Sequence, residues 1–160
     1  MTAVTVVGVG SPQGADRFGW QVIEYLANES RLRDLAPGRI RLVASDRPGP
    51  ALLQLIKSAD VAMIADAVAG GKAGRTVRLD KQELLVSVKN LSSHSFGVAE
   101  TLALGQVIDM LPPHVIVFGV ETGEQALSFE PTQQTIATVG ESIRREIQQR
   151  LASKIDYESM

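Results

Sequence analysis

The chain has 160 residues, a hydrophobic fraction of 44% and a net charge of -2. This length suits one domain over residues 1–160 with a sizeable core. The charge balance leaves no basic footprint for nucleic acid, and the absence of cysteine excludes disulfides, thiolate metal sites and a cysteine nucleophile from this chain.

The N-terminal stretch MTAVTVVGVG has no basic region and enters a strand pattern at once, so no signal peptide is expected. No apolar run is long enough to span a bilayer. A cytoplasmic protein is expected. Nothing in the pattern suggests an extensive self-association surface, so a monomer is expected too.

Ala3–Val9 is a β-branched apolar run, the mark of a strand buried on both faces. It leaves through Gly8, Val9, Gly10, Ser11 and Pro12, with Asp16 just ahead of a helical pattern over Phe18–Asn28. Gly38–Asp46 reads as a second strand. Pro50–Ala59 is a short helix with proline in its first turn. Asp60–Val68 is a third strand, almost continuous in apolar residues. Gly70–Gly74 is a turn, and Arg75–Asp80 is a short alternating strand that Arg75 and Arg78 would blunt as a sheet edge. Phe96–Leu111 is helical, and His114–Glu121 is another buried strand. Thr132–Ile155 is a long closing helix, with Thr132 as its N-cap.

Strands alternating with helices predict an α/β domain of three layers. Its sheet would be largely parallel and twisted, with about five strands and helices on both faces. Ligands of such sheets bind beyond the carboxyl ends of the strands. That edge collects Asp16, Asp46, Asp66 and Glu121. Converging carboxylates repel unless they are protonated or bridged by a cation, so the rim suits a metal better than a phosphate.

His114 precedes its strand and belongs to the opposite edge. His94 lies in a loop on the carboxyl side and reads either as a metal ligand or as a loop residue beside a helix cap. Asp16 reads as a ligand or as the cap of the helix it precedes. Asp66 ends an apolar strand, where an unpaired carboxylate is costly. Asp46 reads as a rim acid or as turn chemistry with Arg47, Pro48 and Gly49.

Other reaction classes fit less well. The loop Gly8-x-Gly10-x-x-x-Gly14 has neither the dinucleotide spacing nor the Gly-Lys-Ser/Thr of a P-loop. There is no G-x-S-x-G elbow to activate Ser11, and no H-E-x-x-H.

The segments VVGVGS…ADRFGWQVIEYL, ADVAMIADAV, SSHSFGVAETLALG, VIVFGVE and FEPT occur in order along nearly the whole chain. Together they resemble the nickel–iron hydrogenase maturation proteases. The resemblance implies an endopeptidase that removes a C-terminal extension from the hydrogenase large-subunit precursor once nickel is in place. It implies three metal-contacting positions, Asp16, Asp66 and His94; Asp16 and Asp66 are also the candidate catalytic carboxylates. Ser11, Asp46 and Glu121 would serve substrate binding. The chain departs from the family pattern at Ser11, where Asn is usual, at Ala15, where a second acid is usual, and at ASDRPG, which replaces an Asp-Gly-Gly-like turn.

The implied ion is nickel, supplied by the precursor, whose thiolates would complete the coordination. Such an enzyme would be either of aspartyl type or metal-dependent. A carboxylate activates water while the metal docks the substrate, or the metal polarises the scissile carbonyl. Two rival readings remain, a nickel-sensing chaperone without cleavage and a nucleotide- or cofactor-binding α/β domain.

Overall fold

The computed structural model describes residues 2–12, 14–88, 97–124 and 128–158. His94 lies outside them. Five strands form one sheet: β1 (Val4–Gly10), β2 (Ile40–Asp46), β3 (Val61–Val68), β4 (Thr76–Asp80) and β5 (His114–Glu121). Their order is β2-β1-β3-β5-β4, parallel except for β4, which runs antiparallel to β5 at the edge.

The period of two along the strands feeds two cores. Val4 and Val6 of β1 and Val61, Met63 and Ala65 of β3 face one layer. That layer is built from α1 (Phe18–Ala27), α2 (Ser30–Leu35) and α6 (Gln133–Glu158). Helix α6 contributes Ile136, Val139, Ile143, Ile147 and Leu151, the helical spacing of an inward stripe. The alternate residues Val7, Val9, Ala62 and Ile64 face the other layer. It comprises α3 (Leu52–Ile56), α4 (Lys81–Val88) and α5 (Val98–Val107), which supply Leu52, Ile56, Leu84 and Leu102. Burying each such aliphatic side chain contributes roughly 1.5–3 kcal/mol.

Two helices arise without an apolar stripe to announce them. In α4, Asp80 Oδ1 accepts from the Glu83 amide at 2.9 Å and Glu83 Oε1 from the Asp80 amide at 3.3 Å. This is a reciprocal capping box. In α2, Glu29 caps by accepting from the Arg31 amide. At α6, the expected cap is present: Thr132 Oγ1 accepts from the Thr135 amide at 3.1 Å.

The glycines after β1 serve packing. A Cβ on Gly8 would strike the Gly19 carbonyl, and one on Gly19 would strike the carbonyls of Val9 and Ala65. Their absence lets α1 settle directly on β1 and β3.

Candidate active site at the switch point of the sheet

The chain passes from β1 to β2 through α1 on one face of the sheet, and from β2 to β3 through α3 on the other. The loops beyond β1 and β3 therefore diverge, and this is where an open α/β sheet leaves its crevice. A cleft of about 430 Å³ lies there, lined by Val9, Asp16 and Asp66, by Arg47–Gly49, and by Val98 and Thr101 of α5 among others.

Asp16 stands in a 3-10 turn (Gly14–Arg17) that leads into α1. It does not cap that helix: the cap position is Arg17, without a side-chain capping bond. Its exposed carboxylate instead accepts from the buried Ser11 hydroxyl, Oγ to Oδ2 at 3.2 Å. The Ser11 amide donates to the Asp16 carbonyl at 3.0 Å. An amide that would have to face a phosphate in a glycine cradle is thus spent inside the loop.

Asp66 projects from β3 on the α3/α5 face. The residue beside it on β5 is Gly119, which puts no side chain against the carboxyl. Burial, aided by the Asp16 charge and opposed by the Ala67 amide, pushes its pKa up to about 7. A carboxyl that titrates at neutral pH can both take and return a proton. Asp16 and Asp66 thus share one cleft. Among the described residues, no group of three His, Cys, Asp or Glu side chains gathers to hold a metal. His94 lies three residues before Gly97, which lines the cleft.

The remaining expected residues lie elsewhere. Asp46 pairs in register with Gly10, on the α1 side of the sheet that Ile40 and Leu42 also face. Its exposed carboxylate accepts from Arg47 Nε at 3.3 Å. Glu121 is absent from the cleft lining. Its carboxylate accepts from the Lys72 amide at 2.7 Å and from Arg75 Nη2 at 2.6 Å, and these bonds hold it below the usual carboxylate range. It braces the Gly70–Gly74 turn, where a Cβ on Gly71 would collide with it.

Sequence reasoning did not single out Arg47, Leu52, Val98 and Thr101 as cleft residues. Arg47 has φ 35, a left-handed conformation that costs a non-glycine residue of order 1–3 kcal/mol. The Asp-Arg-Pro-Gly turn was visible in the sequence, but which residue would take the positive φ was not.

The domain is thus a mostly parallel α/β sheet with Asp16 and Asp66 both lining its switch-point cleft. The family model described as hydrogenase maturation protease, HycI, matches residues 21–148. The chain belongs to the hydrogenase maturation protease family.

Over 125 residues it is 30% identical to the hydrogenase expression/formation protein HupM of Azotobacter chroococcum mcd 1, covering 76% of this chain and 58% of that protein. It is 26% identical over 157 residues to HupD of Thiocapsa roseopersicina, covering 96% and 64%. The chain therefore spans less than two thirds of the length of these relatives. Its fold resembles that of the hydrogenase maturating endopeptidase HybD from E. coli, with a TM-score of 0.70 and 20% identity over 96% of this chain and 94% of that one. The maturation protease HycI from Thermococcus kodakarensis KOD1 gives a TM-score of 0.59 at 19% identity over 92% and 91%.

Proposed function

We propose that this chain is an endopeptidase that removes the C-terminal extension of a nickel-loaded [NiFe] hydrogenase large-subunit precursor. The observation that carries the reading is the placing of Asp16 and Asp66 in one cleft of a chain of this family.

Water is the nucleophile in this reading. There is no cysteine, and the Ser11 hydroxyl is buried with its hydrogen bond given to Asp16, in a loop that lacks the G-x-S-x-G elbow that would present it to a substrate. The water oxygen attacks the scissile carbonyl carbon and its proton passes to a cleft carboxylate. The C–N bond then breaks and the carboxyl returns the proton to the departing amine. Nickel belongs to the substrate. Asp16, Asp66 and His94 contact it and leave coordination positions for the precursor's own thiolates, which makes cutting conditional on metal loading. Among the described residues no helix is long and apolar enough to cross a membrane.

The test is incubation with the precursor, with and without nickel, followed by the mobility shift of the large subunit. Wild type shortens the nickel-loaded form, and Asp66→Ala does not. Normal processing by Asp66→Ala, or binding of the precursor without shortening by wild type, defeats the reading.

A further inference from the structure

We propose that Arg47 is a specificity-determining residue that binds a carboxylate of the segment to be removed. The inference rests on the endopeptidase reading and adds the chemistry of the substrate. Among the described residues lining the cleft, three are charged: Asp16, Asp66 and Arg47. The Asp16 carboxylate repels an incoming peptide carboxylate, and Arg47 is the one cationic side chain among them to attract it.

Its backbone is strained where it stands. Arg47 holds φ 35 directly before Pro48, and a residue before proline is already pushed toward extended conformations. Glycine would meet this geometry without strain, yet an arginine stands here. The Arg47 amide donates to the Gly10 carbonyl at 2.9 Å, so the strained residue is tied to the loop that carries Asp16. The side chain is 77% exposed, and its partner Asp46, adjacent in sequence and itself 57% exposed, lies at 3.3 Å. Such a pair is weak and leaves most of the guanidinium fork available for a second carboxylate. That carboxylate comes from an acidic side chain or from the chain terminus.

The probe is the excised extension as a synthetic peptide, which needs no cleavage to bind. Four versions are titrated calorimetrically into the full chain: acidic side chains kept or converted to amides, and terminus free or amidated. Wild type is expected to bind a carboxylate-bearing version roughly tenfold more tightly than its amide counterpart. The arm in which the loss occurs identifies the source. Arg47→Gly should abolish the difference with a melting temperature no lower than wild type, and Arg47→Lys should keep part of it. Equal binding of all four peptides by wild type, or an unchanged preference in Arg47→Gly, overturns the proposal. If wild type shows the preference but does not process the precursor, the endopeptidase reading fails and Arg47 stands only as a carboxylate-binding residue of the cleft.

Discussion

Asp66 and Asp16 face the same cleft from different elements, one from the sixth position of β3 and one from the turn ahead of α1. The charge of Asp16 adds to burial in holding a proton on Asp66, whose pKa is pushed up to about 7. Between the ordinary aspartate value and 7, the folded chain keeps a proton that the unfolded chain has released. Stability therefore falls as pH rises through that window, and the loss is complete above it. The cost is on the order of 4 kcal/mol as an upper bound. Asp66→Asn removes it. Thermal melts from pH 4 to pH 8 should show the variant more stable than wild type at pH 8, with the gap closing toward pH 4. Parallel curves for the two proteins would remove the case for a protonated Asp66.

Gly19 meets only backbone where a side chain would begin, the carbonyls of Val9 and Ala65. Neither can move without opening the strands that carry the cleft. Gly19→Ala should cost about 3 kcal/mol or more. Gly38 has φ +78 and open space around its Cβ position, so Gly38→Ala should cost only about 1 kcal/mol of backbone strain. Denaturant unfolding of both variants checks the ranking, and a Gly19→Ala protein as stable as wild type contradicts the packing role of the glycine loop.

Glu121 separates a bracing role from a substrate role. Its pKa is lowered first by the Arg75 side chain and then by the Lys72 amide. Its stabilisation is thus present above the ordinary glutamate value and lost as pH falls through the folded one. Glu121→Gln should destabilise the chain at pH 7, and the difference from wild type should fade in acid. Precursor processing by the folded variant should persist. Loss of processing with stability unchanged would return Glu121 to the substrate-binding set.

The fold was largely legible because β1, β3 and β5 are apolar runs buried on both faces. The edge position of β4 was visible in Arg75 and Arg78. What the sequence did not show is that Arg78 reaches α6, pairing with Glu146 at 2.8 Å while lying 6.0 Å from the Phe118 ring centroid. Helices α2 and α4 escaped because capping by Glu29 and by the Asp80–Glu83 pair, rather than an apolar stripe, marks their starts.

Asp66 stood out as an acid closing an apolar strand. Asp46 read either as a rim acid or as turn chemistry, because position along a strand does not reveal register. Pairing with Gly10 puts Asp46 on the face opposite Asp66. Arg47 could not be placed in the cleft from the sequence, since its position depends on a backbone angle that a turn motif leaves open.

Ser11 supplies the last test, because the resemblance marks it as a departure from the family's usual Asn. Its hydroxyl donates to Asp16 Oδ2 at 3.2 Å and its amide to the Asp16 carbonyl. Removing the hydroxyl leaves the backbone bond and the fold, but frees the Asp16 carboxylate to turn away from the cleft. Ser11→Ala should therefore slow processing of the nickel-loaded precursor by about threefold to tenfold through the loss of one long hydrogen bond. Its melting temperature should change little. Ser11→Asn keeps a donor at this position and should recover much of the rate. The same variants should weaken nickel binding in the order Ala, then Asn, then wild type, while Asp16→Ala, Asp66→Ala and His94→Ala remove it. Full processing by Ser11→Ala would show that Asp16 is held by other means. Tight nickel binding that survives His94→Ala would take that histidine out of the ligand set.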